Sequence, residues 1–497
     1  MGNVSWVKSG YDVVIIGSGP GGSTLAQGLA RRDCNVLVVE QGEYLKPDPA
    51  RSEQQTTFIA DYQRRGIRYN VGGESKFYGA ALYRLRENDF SARQTEHGES
   101  TAWPLSYADL EPYYDEGERL YSVHGSPEGD PSEPPRSRPF PHGPIEHEPF
   151  IADVVKRLQG CGVPVGYIPK GVDRGPNGRC VLCSTCDGYF CHRDAKMDAE
   201  VAALRPALKT GRVDLCTGTD CLKVLTTPDG RRATGVLLRR GSEEVTVHAD
   251  VVVVSAGVRE SPLLLWRSRN DAHPKGIGNA RGALGRYLAG HTSGFIFPFL
   301  GLRPIPELHQ KTFAINAFYG AAEDWPYPLG VIQATGQIPI WQHVHPLTAP
   351  FVKFVARRSL VCLLMTEAVG TAESGFDFNE EQIARVHNPR PSRETYRKLR
   401  KTAVSLFHKA GFRWVHASEH FDAPWHTVGT ARMGVDPASS VLDADCRVHG
   451  MDNLYVLDAS SLPTAGAVNT TLTIIALSLR AAETIARVQR RPRVEVA

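Results

Sequence analysis

Tyr11-Asp-Val-Val-Ile-Ile16-Gly17-Ser-Gly19-Pro-Gly-Gly22 decides the fold. Val13 to Ile16 are all β-branched and read as a strand buried on both faces. The turn that follows is G-x-G-x-x-G, and Ser23 to Arg32 has the apolar Leu25 and Leu29 and the small alanines of a helix. In such a turn the first glycine gives the tight bend, the second lets a pyrophosphate approach the backbone, and the third lets helix and strand pack closely. The phosphate charge then faces the helix N-terminus. Asn35-Val-Leu-Val-Val39 is a second buried strand that ends at Glu40. A carboxylate there accepts from ribose hydroxyls and repels a 2′-phosphate, which argues against NADP. Strand, turn, helix, strand and terminal acid together predict an α/β protein with a Rossmann-like dinucleotide domain. They do not separate FAD from NAD.

Further along, Asp250-Val-Val-Val-Val-Ser-Ala-Gly257 is another strand of the same kind, and Leu454-Tyr-Val-Leu457 a third. Helices are predicted over Asp194 to Leu208, Ser392 to Ala410 and Leu472 to Arg487. Residues 125 to 150 carry eight prolines and read as a loose surface excursion. Residues 285 to 425 are less periodic, with strand-like pieces at Phe295-Ile-Phe and Leu360-Val-Cys-Leu-Leu. The dinucleotide elements lie at both ends of the chain, so a second, α+β domain is expected as insertions between them. The predicted division is 1–120, 195–285 and 430–497 for the cofactor domain, and 121–194 and 286–429 for the inserted, substrate-binding one.

Composition narrows the class. Of 497 residues 41% are apolar and 22% charged, with a formal net charge of +3. That balance is ordinary for a globular protein and too weak to argue for nucleic acid. No run of about 20 apolar residues exists to cross a membrane. Met1 to Gly10 carry no apolar core of an export signal, so the expected location is the cytoplasm.

The chemistry sits near the other end, in His426-Thr-Val-Gly-Thr-Ala-Arg-Met-Gly434 and Asn469-Thr-Thr-Leu-Thr473. Oxidising an alcohol means removing a hydroxyl proton and a hydride from the same carbon. A neutral imidazole, with an ordinary pKa near 6.5, suits the proton. An amide can orient the hydroxyl but cannot be the base. His426 and Asn469 are therefore the predicted catalytic pair. Thr470 and Thr471 open the last helix, whose N-terminal amides carry partial positive charge.

Several segments together resemble the glucose-methanol-choline (GMC) family of FAD-dependent oxidoreductases. They are the loop Gly17 to Gly22, the loop Gly72-Gly-Glu-Ser-Lys-Phe-Tyr-Gly-Ala-Ala-Leu-Tyr-Arg-Leu-Arg86, the strand Val251 to Gly257 with Glu260-Ser-Pro-Leu-Leu-Leu265, Leu284-Gly-Arg-Tyr-Leu-Ala-Gly-His291, and His426 to Ala482. The resemblance implies FAD, with cofactor contacts at Gly17, Gly19, Gly22, Glu40, Gly73, Lys76, Gly79, Ala80, Cys221, Ala256, Asp458, Ala459, Thr470 and Thr471. The pairing of His with Asn, and the loop at Gly72, are similar to pyranose oxidases and other sugar-oxidising members. Where pyranose oxidases tether FAD through a histidine, Ser100-Thr-Ala-Trp103 has Ala102, which implies non-covalent FAD. His291 ends one of these segments and reads as structural.

The expected substrate is a sugar-like polyol or amino sugar, such as an aminoglycoside of the paromamine type, with oxygen or another acceptor taking the electrons. Polar candidates for its contacts are Tyr319, Gln333, Gln342, His343 and Glu367, with Glu373 a second acid suited to a cationic sugar. A non-sugar alcohol is the alternative. Cys180, Cys183, Cys186 and Cys191, followed by His192, leave three readings open: a metal or iron–sulfur site in an electron-transferring dehydrogenase subunit, a disulfide, or plain buried thiols. The plain thiols, with no metal, are the favoured one.

Overall fold

The computed structural model describes residues 6–48, 56–183, 186–299, 301–306, 309–322, 324–336, 341, 344–380 and 382–489. Two seven-stranded sheets dominate. The first is built around β1 (Gly10–Ile16), with β2 (Val36–Val39), β3 (Val213–Cys216), β4 (Asp220–Thr226), β5 (Ala233–Arg240) and β6 (Glu243–Val254). β3, β2, β1 and β6 run parallel in that order, and the short strand Leu454–Val456 adds in parallel beyond β6. β6 is long because its two halves do different work. Val252 to Val254 lie beside Leu454 to Val456, whereas Glu243 to His248 pair antiparallel with β5. Its apolar half is fully buried, as a strand covered on both faces must be.

Helix α1 (Pro20–Ala30) follows the glycine turn. It crosses the C-terminal end of the chain at glycines that no side chain could replace. A Cβ on Gly21 would lie 1.8 Å from the Leu457 carbonyl oxygen, and one on Gly28 would lie 2.7 Å from Ala482 Cβ. The N-terminal turn and the segment Leu454–Gln489 are thereby pressed into one body, with the helix Thr471–Gln489 lying on α1.

The second sheet is antiparallel. It contains β7 (Ala289–Phe299), β8 (Phe313–Ile315), β9 (Val331–Ala334), β10 (Cys362–Ala368), β11 (Trp414–Ala417) and β12 (Trp425–Val428), with the short strand Gly166–Tyr167 at one edge. β7 is the hub. It pairs with β10 along most of its length, and on its other side with β12 near Ala289 and β11 near Phe299. Directly opposed residues of an antiparallel pair share a face. His291 opposes Glu367, Phe295 opposes Leu363, and Leu363 opposes Gln333, so all five project from one side. Helix α2 (Arg393–Lys409) covers the other side, where a Cβ on Gly294 would meet the Tyr396 hydroxyl at 2.0 Å.

Two expectations change. The predicted helix from Asp194 begins only at Glu200. Asp198 Oδ1 accepts from the amides of Glu200 and Val201, which caps the helix there, and Asp194 has φ +51°. The proline-rich stretch is pinned rather than loose. Asp130, buried within it, accepts from Arg86 Nη2 at 2.8 Å and from Asn316 Nδ2 at 2.6 Å.

Candidate functional site

The glycine turn is built as a cradle for an anion. A Cβ on Gly17 would lie 2.3 Å from the Ser255 carbonyl oxygen, and one on Gly22 would lie 2.0 Å from the Gly17 oxygen. Ala256, next to Ser255, is the residue from which the helix Gly257–Arg267 starts. No side chain caps α1, whose N-cap is Gly19, so its first amides are open to a phosphate. Gly73, at φ +56°, brings the second glycine loop over the first, with its Cβ position 3.1 Å from Gly19 Cα. The loops are tied by Ser18, whose hydroxyl accepts from the Gly72 amide and donates to Glu40 Oε2. Glu40 also accepts from the amides of Ser18 and Gly42, and burial pushes its carboxyl up against those bonds. Cys221 lies beside this end, two residues after Thr219, whose amide donates to the Glu40 carbonyl.

Asp458 holds the opposite wall. Its carboxylate accepts from the Gly257 amide, the Ser261 hydroxyl, and the amide and hydroxyl of Ser460. Four donors fill a carboxylate's capacity, so its side chain is a brace and what remains for a cofactor is main chain. Ala459 follows it in the same turn. These walls, the open helix end and the close-packed glycines fit a dinucleotide.

At the far side the second sheet meets the last helix. His426 lies in β12 with φ +49°, in the left-handed region, so its ring leaves the regular strand alternation. Its Nδ1 is 3.0 Å from Nδ1 of His291, and His291 Nε2 is 3.1 Å from the Gly466 carbonyl oxygen. His426 Nε2 is 3.2 Å from Asn469 Nδ2, and Asn469 Oδ1 accepts from Gln333 Nε2 at 3.1 Å. These contacts allow one assignment of protons. A carbonyl only accepts, so His291 carries its proton on Nε2 and offers a lone pair at Nδ1. His426 must then donate from Nδ1 and keep Nε2 unprotonated. Burial lowers the pKa of His426 to about 4, helped by the Lys311 charge. Burial and the neighbouring His426 lower that of His291 to about 3. Both rings are neutral near pH 7, and the basic lone pair on His426 Nε2 accepts from Asn469 Nδ2.

Gln333, at the outer end of this hydrogen-bond chain, lies beside further buried polar groups. The Tyr83 hydroxyl and Asn316 Oδ1 are buried and make no hydrogen bond, and Gln333 lies beside the Tyr83 hydroxyl. Burial raises the Tyr83 pKa, so the phenol keeps its proton and stays a donor. Lys311 pairs with Asp187 under Gly79, where a Cβ would meet both side chains.

Other predicted site residues fall elsewhere. Lys76 is fully buried in an ion pair with Asp198 and Glu200, which removes it from the cofactor contacts. Ala80 sits at φ +57° and packs against Ile145 and Val172, away from the glycine cradle. Tyr319 donates to Asp89 Oδ2 at 2.6 Å and accepts from the Ala467 amide, so its hydroxyl is committed to the protein. Glu367 is paired with Arg93 at 2.5 Å and accepts from the Gly466 amide at 2.9 Å, so it too is a brace. Glu373 is exposed in a loop. Gln342 and His343 lie outside the described residues. Thr470 is buried, and Thr471, two residues after Asn469, begins the last helix. His291, read as structural, instead touches the base; its signal was the histidine closing the segment Leu284 to His291. Tyr83 and Asn316 carried no signal of their own.

The four clustered cysteines carry free thiols, and among the described residues no group of three or more ligating side chains is placed to hold a metal. His192 Nε2 is bonded to the Thr57 hydroxyl at 2.6 Å. Lys170 Nζ lies 3.8 Å from Cys186 Sγ.

The chain has relatives along nearly its whole length. The chain is 30% identical to paromamine 6'-oxidase of Streptomyces fradiae, over 96% of this chain and 91% of the relative. It is likewise 30% identical to 6'''-hydroxyparomomycin C oxidase of Streptomyces lividus, with the same coverage. The solved structure of pyridoxine 4-oxidase from Mesorbium loti superposes with a TM-score of 0.63 at 18% identity, covering 95% of this chain and 99% of that one. The GMC oxidoreductase family models match residues 12–293 and 367–478, the first of them alone more than half the chain. With its glycine cradle, its second sheet and its histidine beside the last helix, the chain belongs to the GMC oxidoreductases, FAD-binding enzymes that oxidise CH–OH groups.

Proposed function

We propose that the protein oxidises a carbinol of a sugar-like substrate, an amino-sugar glycoside such as paromamine being the favoured case, to the aldehyde or ketone. The observation that carries this is the directed hydrogen-bond chain Gln333–Asn469–His426–His291–Gly466, which keeps His426 Nε2 unprotonated and facing an amide N–H that a substrate hydroxyl can displace. The substrate hydroxyl enters between His426 and Asn469. His426 Nε2 takes its proton, and Asn469 Nδ2 donates to its oxygen and holds the carbon in place. FAD, when bound, accepts the hydride from that carbon. The last helix begins at Thr471, so its N-terminal partial charge favours negative charge developing at the same place.

Tyr83 and Asn316 support the sugar reading. A buried polar group without a partner costs roughly 1–3 kcal/mol, and a hydroxyl-rich ligand supplies what these two lack. The names of the two relatives support it as well. On the same reading the first sheet marks a cofactor domain over 1–120, 195–285 and 430–497, and the second a substrate domain over 121–194 and 286–429. Ten free thiols suit the reducing cytoplasm, and no helix among the described residues is long and apolar enough to cross a membrane. Oxygen or another acceptor then takes the electrons.

Anaerobic bleaching of the flavin against sugars, glycosides, aminoglycosides and simple diols tests the reading. Saccharides, amino sugars above all, should bleach it. His426→Ala should retain FAD and lose most of the reduction rate. Bleaching by simple diols alone, or an undiminished rate in the variant, would sink the proposal.

A further inference from the structure

The sheet face that carries His291 and Gln333 does not end at the catalytic pair. Along β7 the odd-numbered residues continue outward as Ser293 and then Phe295, Phe297 and Phe299, with Trp425 bridging from the base to Phe295. Strand geometry puts Phe299 roughly 26 Å from His291, at about 3.3 Å per residue. From Phe295 outward every step of that path is met by another ring. Phe295 lies 5.4 Å from Phe421 and 5.8 Å from Trp425, and those two stack on each other at 4.9 Å and 20°. Phe297 stacks with His416 at 6.1 Å, and Phe299 lies 5.5 Å from Trp414. The path starts beside the base, because Trp425 precedes His426, and it ends in solvent, with Trp425 38% and Trp414 60% exposed.

We infer that this aromatic track is an extended binding site for the rings of a cationic oligosaccharide beyond the ring being oxidised. The inference rests on the sugar-oxidase reading and adds to it the length and charge of the substrate. Three observations choose the occupant. The track is continuous with the catalytic pair, so its ligand is part of the substrate. Aromatic faces receive the C–H faces of sugar rings and attract ammonium groups. The acids beside the pocket are already matched, Asp187 with Lys311 and Glu367 with Arg93, so the amines of an amino sugar find ring faces rather than free carboxylates, those of Phe421 and Trp425 first, since Arg413 already lies 5.9 Å from the Trp414 ring.

The test uses flavin-loaded enzyme, three probes and two variants. Glucosamine offers one ring, paromamine a glycosidically linked second ring, and 6'''-hydroxyparomomycin C a longer chain. Phe421→Ala removes the ring stacked on Trp425, and Trp414→Ala the exposed outer one. Phe421→Ala should raise KM for both longer probes about fivefold to tenfold, with kcat held and glucosamine unaffected. Trp414→Ala should raise KM for the longest probe alone. Losses equal on all three probes, or absent on all three, would overturn the track while leaving the sugar reading intact. Flavin reduction of the wild-type enzyme by none of the saccharides would overturn both. Unchanged melting temperatures of the variants would exclude a folding defect as the cause.

Discussion

Replacing His291 by leucine tests the proton assignment directly. In the native site His426 Nδ1–H is bonded to His291 Nδ1 at 3.0 Å in a setting where His291 is fully buried. Leucine leaves that N–H without an acceptor, at a cost of about 1–3 kcal/mol. The same cost weighs against the reactive tautomer, so the form with the proton on Nε2, which cannot act as base, gains by that amount. Converted to rate, the loss is roughly 5- to 150-fold in the limiting rate of flavin reduction. Asparagine at 291 restores an acceptor near the old Nδ1 position and should recover most of it. Rapid-mixing reduction under anaerobic conditions separates the limiting rate from the substrate dissociation constant, which should stay the same, because His291 faces Gly466 and His426 rather than the pocket. A leucine variant that reduces at the wild-type rate, or an asparagine variant no better than leucine, would refute the tautomer argument.

Lys76→Met leaves Asp198 buried without a cation, while Glu200 keeps Arg205, and should cost about 3 kcal/mol in thermal or urea denaturation. The FAD bound per folded molecule should be unchanged, and a selective loss of cofactor would restore Lys76 to the cradle. Gly21→Ala forces a methyl to within 1.8 Å of the Leu457 carbonyl, so α1 must move off the final strand; stability should fall on the order of 3 kcal/mol, and FAD retention with it, whereas a wild-type melting curve would contradict the close approach. The pH dependence has a defined sign. Native His426 and His291 are lowered to about 4 and about 3, below the unfolded value near 6.5. The unfolded chain therefore binds more protons in that interval. The stabilisation is complete above about pH 6.5 and is lost as pH falls toward 4. Melting temperature and flavin reduction should both be flat near neutrality and decline on the acid side, and a reduction rate that declines with a midpoint at 6.5 would show that the base is not buried as described.

The first sheet was legible because its strands are continuous β-branched runs and its turn is punctuated by glycine. β1, α1 and β2 lie within three residues of the boundaries read from the sequence, the largest shift being the start of α1 at Pro20 rather than Ser23. The second sheet was only partly so: Phe295-Ile-Phe lies in β7 and the run from Leu360 leads into β10, but the extent and pairing of these strands were not readable. β7 holds Gly290, Gly294 and Pro298 among its phenylalanines, and these residues read as breaks. Gly294 is there because Tyr396 presses on it from the covering helix, a contact that comes from far along the chain. Ion pairing was equally hidden. Nothing near Lys76 or Glu367 announces Asp198 or Arg93, so both looked free for ligands. Tyr83 and Asn316 escaped notice for the opposite reason, since a lack of partners exists only once the fold has formed.

The run of donors that ends on the Gly466 carbonyl is a blind alley for protons. That oxygen cannot be protonated near neutral pH, so charge arriving at His426 can spread to His291 but go no further. Whatever the imidazole collects must go back through the mouth it came in by. Departure of the oxidised product and resetting of the base thus share one doorway, and a slow-leaving product would hold the enzyme acidified at its centre.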